Sequence, residues 1–344
     1  MKENSVNTIR VAVTGMGNPL GQNIYKALAM SSLPLKIYML DVYPFSAGLL
    51  WEGQPVVCTF ANTPSFLDEW ITFLNREQID IVFFGTEAEP RVLMPQMDRL
   101  RRETKTKFVL NSTECIQVAD DKLLTARHLL KAGVDAPASA DAADQAEVEA
   151  LVKQAGFPLI VKPRKGSAAR GFEIVKDIAA LQHLLSPGYV VQEALMPADQ
   201  EYTVGVYCCL DGSIPSVTTI RRELNFGLTY KGSLVHHPEI EEYSVKVVKA
   251  LGAIGPSNVQ LRLTSRGPVA FEVNPRLSST TPIRAHFGVN EPEMAIREYV
   301  LGETLQVVLP RLGGVLRYWS ELYLESDELE KVIQRDTTFW RQGA

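Results

Sequence analysis

Residues 258–281 read NVQLRLTSRGPVAFEVNPRLSSTT, and the fold of the chain is decided there. Alternation puts Val259, Leu261 and Leu263 on one face of the first run, and Gln260 and Arg262 on the other. Ser265-Arg266-Gly267 has the composition of a three-residue hairpin loop. In the second run, Pro268 to Val273, Phe271 and Val273 fall on the apolar face. Glu272 and Asn274 are two apart and share the opposite face. A turn centred on Arg266 sets Gln260 opposite Glu272, with side chains about 5 Å apart. Three oxygen-bearing side chains then converge. Such a set suits Mg²⁺, which keeps several waters and takes a few protein oxygens together with phosphate oxygens. Pro275 ends the run, and Arg276 follows as a fixed cation. Taken alone, the same residues also describe a half-buried hairpin with a polar outer face.

Upstream, the run Gly156–Pro163 (GFPLIVKP) reads as a strand carrying Lys162. The loop Arg164–Gly171 (RKGSAARG) joins it to a strand over Phe172–Val175. Small residues there let the backbone offer N–H groups to an anion, and Arg164, Lys165 and Arg170 add charge. Asp120-Asp121-Lys122 opens an amphipathic helix capped by one of the two aspartates. Lys122 stands in the first turn, where the helix dipole disfavours a cation and favours an anionic ligand. Tyr189–Gln192 is a further strand, leading into Glu193, Ala194 and Leu195, and Glu201 opens the next. Ile220–Glu223 and Thr229–Gly232 bracket a turn-rich segment, with Arg221 or Arg222 placed to clamp a carboxylate or phosphate.

The first hundred residues alternate strand and helix. Ile9–Val13 runs into a glycine turn with Gly15, Gly17 and Gly21, a helix over about 22–30 and a strand ending in Asp41. This has the outline of a dinucleotide-binding unit, although the spacing G-x-G-x-x-x-G misses the tight form. Ser65–Arg76 and Arg91–Glu103 read as helices, and Ile79–Phe84 as a strand buried on both faces. Glu87 and Glu89 follow that strand, at the end where such sheets bind ligands.

A chain of 344 residues has room for two or three domains. Its 46% apolar and 22% charged residues are those of a globular enzyme, and a net charge of −5 without a large basic block argues against nucleic acid as the main partner. No apolar run reaches the roughly 18 residues of a membrane span, and the opening MKENSVNTIRVAVTG lacks a signal-peptide pattern. The four cysteines form no C-x-x-C pair, so a reducing cytoplasmic setting is expected.

The run Glu272-Val273-Asn274-Pro275-Arg276 resembles the metal-binding hairpin of ATP-grasp enzymes. It is most similar to the version in the large subunit of carbamoyl-phosphate synthase, which has a glutamine at the place of Gln260. Lys122, the Lys162 strand with its loop, Glu193 and Glu201 follow the family's motif order, over about residues 9–302. The resemblance implies an α/β chain with a Rossmann-like pre-ATP-grasp domain over 1–112. A two-lobed α+β ATP-grasp fold follows, as a lid subdomain over 113–188 and a C-terminal subdomain over 189–310, with an extension over 311–344. It implies a single stand-alone unit, because the synthase subunit carries two such halves. The implied activity is ATP-dependent carboxylate–amine ligation through an acyl phosphate, releasing ADP and phosphate. ATP and Mg²⁺ (or Mn²⁺) are the implied cofactors, small-molecule carboxylates and amines the substrates, and a homodimer the assembly.

Residue by residue, the resemblance assigns phosphate contacts to Lys122, Lys162, Ser167 and Gly171. It assigns ribose hydroxyls to Glu193, adenine to the backbone at Ala194 and Leu195, and a nucleotide-side carboxylate to Glu201. The metal falls to Gln260, Glu272 and Asn274, and the acceptor carboxylate to Arg221, Arg222, Lys231 and Arg276. Lys162 and Arg276 are the cations expected to neutralise the transferring phosphoryl group. Two other classes fit parts of the chain. One is an NAD-binding oxidoreductase or epimerase built on the Gly15–Gly21 turn. The other is a nucleotide-binding regulator without turnover, in keeping with a phosphate loop whose only glycines are Gly166 and Gly171.

Overall fold

The computed structural model describes residues 8–166 and 171–333. Two compact units result, one of Met1–Leu110, Leu277–Gln306 and Trp319–Ala344, the other of Asn111–Arg276 and Val307–Tyr318.

In the first unit, β1 (Ile9–Val13), β2 (Leu35–Asp41), β3 (Gln54–Val57), β4 (Ile81–Phe83) and β5 (Lys107–Phe108) form a sheet in the order β3-β2-β1-β4-β5. Every neighbour pair in it is parallel. Val11, Val13, Ile81 and Val82 are fully buried, as a sheet covered on both faces requires. The helix Phe66–Arg76 inserts Phe66, Trp70 and Phe73 into its core. The long helix expected over Arg91–Glu103 is instead two, Ala88–Leu93 and Met97–Glu103, separated by a 3₁₀ turn at Pro95. Proline has no N–H to continue the ladder.

The glycine turn after β1 is filled by protein atoms. A Cβ at Gly21 would lie 2.3 Å from the Gly15 carbonyl oxygen, so the helix Pro19–Leu28 approaches the strand end as only glycine allows. Asp41 accepts the Gly17 N–H at 2.6 Å. The strand-end acid that suggested a dinucleotide site thus holds the turn itself. Glu87 is half-buried and pairs with Arg91 at 3.2 Å. Glu89 is buried, and burial, reinforced by the charge of Asp41, pushes its carboxyl up to about 7.

The second unit holds two antiparallel sheets. The smaller comprises β6 (Ser139–Asp141), β7 (Leu159–Pro163), β8 (Glu173–Val175) and β9 (Tyr189–Glu193), in the order β6-β9-β7-β8. The larger comprises β10 (Glu201–Cys208), β11 (Ser216–Asn225), β12 (Leu228–Val235), β13 (Gly255–Thr264), β14 (Gly267–Asn274) and β15 (Gly313–Leu316), in the order β14-β13-β10-β11-β12-β15. The helix Pro238–Ala250 covers one face of the larger sheet, where Ile240 and Val247 meet Val204, Val259 and Val273. The opposite face carries the polar rows described below.

The turn-rich segment between Glu223 and Thr229 is the tip of the hairpin of β11 and β12. They form a long hairpin whose turn is Phe226-Gly227, both at positive φ (49° and 74°). Two left-handed residues match the twist of a two-residue hairpin turn, but phenylalanine is a poor signal for one. β6 is a short strand added at the edge of β9. The mixed α/β architecture, a Rossmann-like parallel sheet followed by antiparallel sheets, is the one expected.

Candidate active site

The hairpin β13–β14 turns through two residues, Ser265 and Arg266, with Thr264 opposite Gly267. Continued regularly, that register would bring Phe271 opposite Gln260. A bulge between Gln260 and Leu261 intervenes, and Gln260 stands opposite Glu272 after all. The extra residue is Phe271. It leaves the apolar face, where alternation had placed it, and lines the same cleft as Glu272. Ala270 takes the buried position, at 2% exposure.

Three strands then bring side chains together in rows. Gln260 donates from Nε2 to Glu272 Oε1 at 3.0 Å, and Asn274 donates from Nδ2 to the same oxygen at 3.0 Å. Two residues along β13, Arg262 pairs in register with Glu201 of β10, and Arg222 of β11 flanks Glu201 on its other side. Arg222 Nη2 donates to Glu201 Oε1 at 3.0 Å and to Gln260 Oε1 at 2.6 Å. Arg262 Nη2 donates to Glu201 Oε2 at 3.1 Å, while its Nη1 reaches the Leu195 carbonyl at 2.9 Å. A continuous chain of hydrogen bonds therefore runs from Leu195 to Asn274.

The smaller sheet supplies the facing residues. Lys162 on β7 is buried, with Nζ 5.8 Å from the Phe271 ring centroid. Burial, then the charges of Lys122 and Arg262, push its ammonium down to about 8, and Glu272 opposes them. Lys122 is the first residue of the helix Lys122–Lys131, which Asp121 caps by accepting the Leu123 and Leu124 N–H groups. Its Nζ donates to the Gly166 carbonyl at 2.7 Å. Arg164, read as a loop charge, is committed elsewhere. It grips Asp121 at 2.7 Å and Asp141 at 2.9 Å. Glu193, the last residue of β9, accepts the Ala138 N–H at 3.0 Å and pairs with Arg266 of the hairpin turn, which also holds Asp135 at 2.7 Å.

Lys122, Lys162, Glu193, Leu195, Glu201, Arg222, Gln260 and Glu272 line one cleft of about 640 Å³. Among its described lining residues five are basic and three acidic, an excess of positive charge that suits a polyanion. The Ala194 N–H points to the Pro158 carbonyl at 3.4 Å, and Gly171, at φ 71°, packs against Pro163. Ser167 and Arg170 lie outside the described residues. Arg221 alternates to the other face of β11, near Asp199 at 3.8 Å, and Lys231 pairs with Glu223 at 3.3 Å. Arg276 stands beyond β14, after Pro275, its N–H donating to the Asn274 carbonyl at 2.8 Å. The sequence reading named neither Arg262 nor Phe271 for the cleft. Alternation from Gln260 already put Arg262 on its face, whereas nothing in the sequence marked the bulge.

Residues 186–321 match the family described as ATP-grasp in the biosynthetic pathway with Ter operon. The large chain of carbamoyl phosphate synthase from Rubrobacter xylanophilus is 27% identical over 333 residues, covering 88% of this chain and 30% of that one. The chain spans less than a third of the full-length large chains it matches. Among solved structures, N5-carboxyaminoimidazole synthetase from Staphylococcus aureus in complex with ADP superposes with a TM-score of 0.68 at 16% identity, over 90% of this chain and 81% of that one. The biotin carboxylase domain of Hydrogenobacter thermophilus 2-oxoglutarate carboxylase, with MgADP and bicarbonate, gives 0.63 at 16% identity, over 86% and 70%. Residues 186–321 thus match an ATP-grasp family, and carbamoyl phosphate synthase large chains are among the proteins this chain is similar to.

Proposed function

We propose that this protein is an ATP-dependent ligase that joins a carboxylate to an amine, with the reaction centred in the cleft between β7 and β14. The observation that carries the reading is the convergence of Lys122 and Lys162 with Glu272 in one cleft. The ADP and MgADP held by the similar structures support the same occupant here.

In this reading the nucleobase lies toward Ala194 and Leu195, with Glu193 on the ribose, and the phosphates run toward Lys122 and Lys162, near Gly171. Glu272 and Asn274 fit a hard divalent ion such as Mg²⁺, since both offer oxygen and neither is a soft ligand. When bound, the ion would supply positive charge beside the β- and γ-phosphate oxygens. Lys162 and Arg276 neutralise charge on the phosphoryl group as it transfers. The substrate carboxylate, held by Arg276, attacks the γ-phosphorus and ADP leaves. The amine nitrogen then attacks the acyl carbon, phosphate leaves, and the amine gives up a proton as the amide forms. Arg222 is engaged within the cleft, and Arg221 and Lys231 are engaged outside it. In this proposal Arg276, which follows β14 in the chain, holds the acceptor carboxylate. Four buried free thiols fit a reducing cytoplasm. No helix among the described residues is long and apolar enough to cross a membrane.

The test is phosphate release from MgATP against a panel of carboxylic and amino acids, with Glu272→Gln as control. Release that depends on one acid, and is lost in the variant, supports the reading. ATP bound without release under any acid points to a regulator, and no ATP binding sinks the assignment.

A further inference from the structure

Gln260 has one acceptor oxygen, and Arg222 holds it at 2.6 Å. Its amide nitrogen is turned to Glu272. Rotating that amide by half a turn would bring two hydrogen-bond donors, the NH₂ of Gln260 and the N–H of Arg222, against each other. Arg222 in turn is fixed. Its side chain is 7% exposed, Glu201 accepts from both Nε and Nη2 at 3.2 and 3.0 Å, and a guanidinium keeps its charge. Asn274 is in a different position, because it donates to Glu272 and turning its amide over presents an oxygen beside that carboxylate. A divalent ion on the Gln260 oxygen would stand about 2.1 Å from it, and so within about 5 Å of the Arg222 nitrogen that already occupies it. In a cleft with an excess of cations, that is the least favourable place for a further double charge.

We propose that Arg222 is the resident cation of this cluster, that it withdraws Gln260 from metal ligation, and that the cleft takes one divalent ion per nucleotide, on Glu272 and Asn274. The proposal rests on the nucleotide reading above. Arg222 then performs from the protein side what a second ion would do, placing a fixed positive charge beside the phosphates.

The test is the stoichiometry of Mn²⁺ bound by the full chain with a non-hydrolysable ATP analogue, counted by paramagnetic resonance. One Mn²⁺ per chain is expected. Arg222→Gln frees the Gln260 oxygen and is expected to admit a second ion. Gln260→Ala is expected to keep one, with affinity within about twofold of the parent, and this variant carries the test if Arg222→Gln does not fold. Two ions in the parent protein, or a tenfold loss of affinity in Gln260→Ala, would overturn the proposal while leaving the nucleotide reading intact. Failure to bind the analogue at all would remove the nucleotide reading and the proposal with it.

Discussion

Lys162→Met should stabilise the protein while weakening nucleotide binding. The Lys162 ammonium is buried, and its titration falls from 10.5 to about 8. At about 1.4 kcal/mol per pH unit, holding that charge at neutral pH costs about 3 kcal/mol. Methionine has a similar shape without the charge. What it forfeits is the cation–π contact with Phe271, about 0.5–1 kcal/mol, so the desolvation cost wins and a net gain of about 2 kcal/mol is expected at pH 7. The sign of the pH dependence follows. Above pH 8 the folded protein has lost this proton while the unfolded chain keeps it to 10.5, so parent stability rises with pH across that window. The variant lacks this contribution, and its advantage should shrink toward zero by about pH 10. Urea unfolding of both proteins at several pH values between about 7 and 10 measures the gap directly. A variant less stable than the parent at pH 7, or a gap that does not change with pH, refutes the reasoning. In the same samples, loss of a charge-assisted phosphate contact of about 1.5–3 kcal/mol should raise the nucleotide Kd by at least tenfold.

Arg164→Met should cost about 3 kcal/mol, because it leaves the Asp121 carboxylate buried without its partner, and calorimetry of the two proteins reads the loss. Burial pulls the Asp121 carboxyl upward, but its hydrogen bonds to Arg164 and to the Leu124 N–H hold it below its ordinary 3.8. The stabilisation from this site should therefore be full above about pH 4 and lost as the pH falls further, a slope absent from an Asp121→Asn variant. Gly21→Ala should destabilise the first unit by at least 2 kcal/mol, since its Cβ meets backbone oxygens at 2.3 and 2.5 Å, whereas Gly188→Ala meets no atom within 4 Å and carries only the strain of its positive φ. Thermal unfolding compares the two.

The parallel sheet and the hairpin could be read in the sequence because their periodicities are local. Continuous apolar runs gave β1 and β4, and the Gln260, Glu272 and Asn274 alternation gave one face of the cleft. The turn was misplaced by one residue, and the Phe271 bulge compensated, so the predicted Gln260–Glu272 pairing holds for a different reason. A bulge is set by how the whole sheet twists, and no local pattern announces it. The same limit applies to Arg164. Its commitment to Asp121 and Asp141 depends on chain segments 43 and 23 residues away, and sequence spacing says nothing about them. Phe226 shows a further kind of limit, in which an unfavourable residue occupies a left-handed position because the long strands on either side determine the turn.

The largely buried row Arg222–Glu201–Arg262 is poorly explained by stability. Replacing such a trio with apolar residues of similar volume is often neutral or stabilising, because desolvation offsets most of the attraction. Its geometry suggests a different purpose. Glu201 holds two guanidinium groups apart, one on the Leu195 carbonyl and the other on Gln260, so the Leu195 end and the Gln260 end of the cleft are fixed relative to each other. Two variants separate the explanations. Glu201→Gln keeps one carbonyl acceptor but no charge, which leaves both arginines without their counter-ion, and stability should fall by about 3 kcal/mol. The triple variant Arg222→Met, Glu201→Leu, Arg262→Met removes all three charges and should recover most of that loss. If the row exists to position the cleft, the triple variant will fold yet bind nucleotide at least tenfold more weakly than the parent. If it binds as the parent does, the row is a packing feature and the positioning argument fails.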